Sequence, residues 1–272
     1  MANNKNIWLF WLLALLITLS SAIYQRKTGP NHPKYVNTEM GSEEYRLKCI
    51  RSSALDQVCL IEFEIPDTEV SGTVYYKRYP TNEPYIAVPM ERNGDQLSVI
   101  LPDQPSAGKL AYFLEFEVGG QASAYQKEDP IIIRFNDAVP GYVMIPHIFF
   151  MFFAMLLSNL MAILAIARRE QFVLYLTFSF IAFTVGGMIL GPVVQKFAFG
   201  EYWTGFPNGM DLTDNKTLIA WIFMLAAVLL NIKKKRPVIA IIAAVVMLAV
   251  YLIPHSMLGS ELDPTTGEII QA

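Results

Sequence analysis

Apolar residues along the chain fall into five long blocks, and a polar, alternating stretch separates the first block from the other four. The first block is Ile7 to Ile23, with Lys5 ahead of it and Gln25-Arg26-Lys27 behind. The others cover about 139–167, 172–194, 217–232 and 238–253. A membrane-spanning helix takes about 20 apolar residues, with a range near 17–25, so each block is read as a span. The last two are short by strict count, and Thr217, Trp221 and Tyr251 extend them into the interface. Residues 1–24 are expected to form an uncleaved anchor. The alternative is a signal peptide, because Ser20-x-Ala22 is a tolerable cleavage site, but the block is long and aromatic for that role.

The stretch 40–137 has a different period. Leu110, Tyr112, Leu114, Phe116 and Val118 alternate with Ala111, Phe113, Glu115 and Glu117, which is the period of a strand. Six further short strands are expected at 45–51, 58–65, 73–79, 85–91, 96–101 and 131–135, and Asn93-Gly94-Asp95 marks a tight hairpin. About seven strands at this spacing predict an immunoglobulin-like or fibronectin-like β-sandwich. The expected protein is therefore mixed: an all-β sandwich inserted between an N-terminal transmembrane helix and a four-helix transmembrane bundle (138–256), followed by an external tail (257–272). Residues 25–39, with His32 between Pro30 and Pro33, are read as a stiff linker.

Composition supports this division. The 272 residues are 53% hydrophobic and 17% charged, against about 25% charged in a soluble protein. A soluble enzyme and a disordered chain are both excluded. The net charge of -3, with basic residues clustered only at span ends, argues against nucleic acid as a partner. Charge also orients the chain. Arg168-Arg169 and Lys233-Lys234-Lys235-Arg236 lie in the two short loops between spans, and by the positive-inside rule both are cytoplasmic. The N-terminus is then cytoplasmic, and the sandwich, the loop 195–216 and the C-terminus are on the outer side. Arg26 and Lys27 dissent, and the six loop charges outweigh them.

Both cysteines, Cys49 and Cys59, fall in the sandwich. If the strands at 45–51 and 58–65 pair around Ser53-Ala54-Leu55, the two lie opposite each other and a disulfide is expected, as suits an extracytoplasmic domain. Two separate buried thiols are the alternative. No Cys-x-x-Cys, phosphate loop, zinc signature or nucleophile–base motif is present, so no catalytic residues are assigned.

The chemically suggestive residues gather at one expected depth. The triplet Ile-Pro-His opens the second span (Ile145-Pro146-His147) and closes the fifth (Ile253-Pro254-His255). Pro146 suits a first helical turn, and Pro254 stops the last helix. From His147 the same helical face carries Met151, Met155 and Asn159. Imidazole with thioether suits haem iron or copper, so His147, His255, Met151 and Met155 are candidate ligands of haem b or copper. The plain alternative is interfacial histidines and packing methionines. Asp211 and Asp214 offer hard oxygens to a cation, though without calcium-loop spacing; the plain alternative is an N-cap, and at least one of Thr213, Asp214 and Asn215 is expected to cap the fourth span. Gly186-Gly187 and Gly191-Pro192 predict close helix packing with a kink or stop, and leave room for a flat cofactor. No ionisable residue lies mid-span, which argues against a proton pump.

The stretches Ile145-Pro146-His147, Trp203 to Lys216 (WTGFPNGMDLTDNK) and Pro254 to Asp263 (PHSMLGSELD) resemble those of a group of uncharacterised bacterial polytopic membrane proteins. The similarity covers most of 70–263. It implies the same architecture, in the bacterial inner membrane, and no activity. Two functions are therefore carried forward. One is a haem- or metal-binding electron-transfer component at the outer face. The other is a non-enzymatic accessory or assembly subunit of an envelope complex, with the sandwich binding a membrane or periplasmic protein. An ion-gated sensor built on the Asp211–Asp214 loop is a weaker third.

Overall fold

The computed structural model describes residues 7–41, 43–254, 260–267 and 269–271. The chain divides into two compact units: Met1–Gly29 with Val139–Gly259 and Gln271–Ala272, and Pro30–Ala138 with Ser260–Ile270.

The first unit is a helical bundle of α1 (Ile7–Thr28), α2 (Gly141–Ile166), α3 (Phe172–Phe199), α4 (Leu212–Asn231) and α5 (Pro237–Leu252). The first four are long and apolar enough to cross a membrane. At a rise of about 1.5 Å per residue, the 26 residues of α2 exceed a hydrocarbon core of about 30 Å, whereas the 16 residues of α5 fall short of it. Alanines and methionines fill the seam, among them Ala14, Ala154, Met155, Ala220, Met224 and Ala243. Small residues let apolar helices approach where no hydrophobic gain from water is available. Hydrogen bonds add direction: Asn159 Nδ2 of α2 donates to Thr18 Oγ1 of α1 at 3.0 Å, and Ser179 Oγ of α3 donates to the Ala154 carbonyl at 2.8 Å. At one end of the bundle the ion pair Lys235–Glu170, at 2.5 Å, ties the two short basic loops together.

Two helix boundaries differ from the sequence expectation. Helix α2 starts at Gly141, so Pro146 lies in its second turn and leaves the Tyr142 carbonyl without its usual donor. Helix α3 neither stops nor ends near Val194. It runs to Phe199, and the stretch Thr184–Leu190 is π-helical. Pro192 supplies no N–H to the preceding turn, and widening that turn to i→i+5 bonds, as in Gly191 N–H to Gly186 O, lets the helix continue.

The second unit is β-rich. Its strands are β1 (Lys34–Met40), β2 (Glu43–Cys49), β3 (Ser52–Ala54), β4 (Cys59–Glu64), β5 (Ser71–Tyr79), β6 (Ile86–Pro89), β7 (Glu91–Asn93), β8 (Gln96–Leu101), β9 (Lys109–Val118), β10 (Gln121–Tyr125), β11 (Ile131–Asn136), β12 (Ser260–Leu262) and β13 (Ile269–Gln271). One sheet has the order β3-β11-β9-β5-β6, with β10 also on β9; a second has the order β4-β8-β7; β1-β2 and β12-β13 form separate pairs. One buried cluster joins the two larger sheets and the β1-β2 hairpin, through Ile61, Leu97, Val74, Leu114, Ile133 and Leu47 among others. Strand β9 alternates in sequence yet is buried on both faces over Leu110–Leu114, because Phe113 stacks on Tyr75 at 4.7 Å and receives Tyr85 edge-on.

The expected strands 45–51 and 58–65 do not pair. Strand β2 takes β1 as partner, with Cys49 opposite Lys34, and β4 takes β8, with Cys59 opposite Leu101. The segment between them does not join them as a hairpin: Ser52–Ala54 runs parallel to β11 in the other sheet, and the turn comes after it, with Gln57 N–H bonded to the Ala54 carbonyl at 3.0 Å. The disulfide is accordingly corrected, and Cys49 and Cys59 are two buried free thiols. Part of the expected linker is ordered as β1, and Ser260–Leu262 and Ile269–Gln271 of the expected tail form β12-β13, with Lys109 paired to Glu261 and Leu262 N–H bonded to the Ala107 carbonyl at 3.2 Å.

Candidate functional site

The polar side chains of the helical unit concentrate at the bundle end formed by the start of α2, the end of α3, the start of α4 and the end of α5. His147 is half-buried there, and its Nδ1 lies 2.9 Å from the Gly186 carbonyl. That carbonyl also accepts the Gly191 N–H of the π-turn. A carbonyl can only accept, so Nδ1 carries the proton, and in the neutral ring the lone pair sits on Nε2. Met151 follows one turn later; its Sδ would lie 3.1 Å from a Cβ at Gly186, and its carbonyl accepts the Tyr251 hydroxyl of α5. Met155 is deeper, 1% exposed, and packs in the apolar core. His255 lies outside the described residues.

The two glycines of the π-turn are contact points. A Cβ at Gly186 would stand 3.0 Å from Phe150 Cβ of α2, and one at Gly187 would stand 3.1 Å from Thr217 Cγ2 of α4. Helix α3 therefore touches α2 on one side and α4 on the other. The space expected for a flat cofactor is filled by Phe150, Met151, Phe183 and Thr217, so a porphyrin does not fit this groove. Trp221 Nε1 adds a bond to Thr184 Oγ1 at 2.9 Å.

The loop before α4 is held by its acids. Asp211 is the N-cap of α4 and accepts from Thr213 N–H at 2.8 Å and Asp214 N–H at 3.1 Å. Asp214 Oδ2 accepts from Thr204 N–H at 2.7 Å and Gly205 N–H at 2.9 Å. Asn215 Oδ1 takes Phe206 N–H at 2.7 Å, and Gln195 Nε2 of α3 donates to Thr204 Oγ1 at 2.6 Å. The carboxylates thus do the work of caps, satisfying N–H groups that a helix start and a tight loop leave unpaired. Among the described residues, no three of His, Cys, Asp and Glu converge as a metal site.

Lys216 was not singled out by sequence. It is 3% exposed, and its Nζ donates to the carbonyls of Ile253 at 2.6 Å and Pro254 at 3.2 Å, at the end of α5. A cation there complements the partial negative charge of a helix C-terminus. In the sequence it reads as an ordinary charge at a span edge, because its acceptors are backbone atoms 37 and 38 residues away.

In the β unit both thiols are chemically quiet. Burial pushes the Cys49 thiol up to about 11 and raises that of Cys59 as well, so neither is an activated nucleophile. Tyr112, buried beside them, donates to the Ile50 carbonyl at 3.0 Å, and burial holds its hydroxyl well above the usual phenol range.

These features define a membrane protein of mixed helix and sheet, with four candidate spanning helices among the described residues. No protein-family model matches the chain, and no curated protein matches it at a significant level.

Proposed function

We propose that this protein is a non-enzymatic accessory or assembly subunit of a membrane complex, anchored by its helices and binding a protein partner through its β unit. The observation that carries the reading is the use made of the polar cluster. Asp211, Asp214, Asn215, Gln195 and Lys216 are committed to backbone and side-chain groups of the same unit. Such a cluster fixes a shape and offers no acid, base or nucleophile to a substrate. The strand orders β3-β11-β9-β5-β6 and β4-β8-β7, with β3 parallel to β11, support an immunoglobulin-like β-sandwich, the architecture of many cell-surface domains. The pairing of the two basic loops through Lys235–Glu170 supports a common cytoplasmic side for them, with the β unit periplasmic and the membrane the bacterial inner membrane. Purification of the full chain from its native membrane in mild detergent should yield a stoichiometric partner. A lone, monodisperse protomer would sink the reading.

One observation favours a second reading. With Nδ1–H donated to Gly186 O, His147 presents Nε2 as a lone pair in a fixed orientation, the arrangement typical of a metal-ligating histidine. With Met151 one turn away, His147 would suit a single soft ion such as copper better than haem. Metal analysis and an oxidised-minus-reduced absorption spectrum of the same preparation test it: one equivalent of copper, lost in His147→Ala with the fold retained, would establish it, and a metal-free, colourless protein from copper- and haem-replete cells would dismiss it.

A further inference from the structure

Strand β4 forms one edge of the β4-β8-β7 sheet. Its register fixes which groups face outward. Asn93 and Gln96 flank the two-residue β7–β8 loop, so Gln96 and Ser98 turn their backbone groups toward β7, and Leu97, Val99 and Leu101 turn theirs toward β4. Their partners Phe63, Ile61 and Cys59 are thereby satisfied, and Ile65 N–H continues the same parity with a 2.7 Å bond to Asp95 O. Glu62 and Glu64 therefore direct their N–H and C=O groups to the other edge, where no strand pairs with β4 among the described residues. In immunoglobulin-like sandwiches a fourth strand occupies this edge. Here β2 runs nearby but pairs only with β1, and a cleft of about 440 Å³ lies between, lined by residues that include Glu43, Arg46, Lys48, Glu62 and Glu64.

We propose that the free edge of β4 takes an extended segment of a partner protein as an added strand, with basic side chains beside Glu62 and Glu64. This deepens, and rests on, the reading of the β unit as a protein-binding module. Main-chain bonds to an open edge supply affinity, and alternate side chains supply selectivity. Strand β4 alternates buried Cys59, Ile61 and Phe63 with exposed Leu60, Glu62 and Glu64, so the added strand alternates apolar residues facing the core with basic ones facing outward. The cleft holds three carboxylates, Glu43, Glu62 and Glu64, against two bases, Lys48 and Arg46, with Arg46 over the Tyr35 ring at 4.5 Å, so the side of it that β4 contributes is acidic. Outward acids on an open edge also repel indiscriminate pairing, so a strand that does pair must neutralise them.

The test uses the full chain in neutral detergent and a fluorescent six-residue peptide alternating valine and lysine, read by anisotropy. Saturable binding is expected. Glu62→Pro removes an N–H of the free edge without touching the β4–β8 ladder, and should weaken binding at least tenfold. A charge-reversed variant, Glu62→Lys with Glu64→Lys, should lose the valine–lysine peptide by a similar factor and gain a valine–glutamate one, which decides the matter even if the proline variant fails to fold. Absence of saturable binding, or equal binding by wild type and a folded Glu62→Pro, overturns the proposal. So does a wild-type dimer that Glu62→Pro makes monomeric, which would assign the edge to a second copy. If a native partner co-purifies equally with wild type and Glu62→Pro, the edge is wrong and the accessory role stands; if the peptide binds as described but no native partner is found, the reverse holds.

Discussion

A methyl group at Gly205 would sit 2.5 Å from Asp214 Cβ and 2.9 Å from Asn215 Oδ1. Gly205→Ala must therefore push the loop off the start of α4, at a cost of about 1–3 kcal/mol. Asp214→Ala leaves the Thr204 and Gly205 N–H groups without their acceptor and should cost about 2–4 kcal/mol, whereas Asp214→Asn keeps one oxygen and should cost less. Thermal unfolding in detergent measures all three. Millimolar calcium should leave the wild-type transition unmoved, since these oxygens are caps; an increase of several degrees would restore the cation reading. The cysteines give a second test. Cys49 and Cys59 should resist a maleimide in the native protein and both react after denaturation without reductant, and a mass lower by two hydrogens would contradict the free thiols. The Cys49 thiol rises from an ordinary value near 9 to about 11 on folding, so the folded state holds its proton longer. Its contribution is complete below pH 9 and is lost as the pH rises toward 11. Cys49→Ala should flatten the fall in stability over that window.

At the scale of elements, α1 is the helix whose status sequence alone left open. Ala14 is fully buried, and Thr18 accepts from Asn159 while donating to the Ala14 carbonyl. These contacts are the ones expected of an anchor that stays in the bundle. The intact mass of protein purified from membranes should include residues 7–28. A double-mutant cycle between Thr18→Val and Asn159→Leu should show coupling of about 0.5–2 kcal/mol, and a coupling of zero would mean that the contact carries no weight. The π-turn of α3 makes the complementary case. Pro192 and the Gly186-Gly187 pair were legible as a disturbance, but not as a π-helix, because the outcome depends on Phe150 and Thr217 of other helices closing on those glycines.

For the whole molecule, the informative property is sidedness. Cysteine-accessibility mapping or reporter fusions should place positions 169 and 234 on one side of the membrane and position 94 on the other. A shared side for 94 and 234 would overturn the topology and, with it, the periplasmic role proposed for the β unit. The same preparation, examined for a stoichiometric partner, tests the accessory role directly.

The alternation of apolar and polar residues determined, without help from the fold, that the chain divides into long apolar helices and short strands, since burial face and period follow from local geometry. It located seven strands to within a few residues and the hairpin at Gly94, whose φ of +59° suits glycine. It missed β1, β3, β7, β10, β12 and β13, most of them short or polar strands with little periodicity to show. Pairing was beyond it. The proximity of Cys49 and Cys59 in sequence suggested a hairpin, while the chain between them crosses to β11 and leaves each thiol in its own strand pair. His147 was legible as a candidate, and a cap at the start of α4 was legible near Asp214, but the N-cap is Asp211, and Asp214 instead accepts from Thr204 and Gly205, ten and nine residues back. The acceptor of His147 Nδ1, the clamp from Lys216 to the end of α5, and the open edge of β4 were decided by tertiary structure alone. Each depends on backbone atoms brought together from distant parts of the chain, and backbone atoms leave no signature in the identity of the residues that carry them.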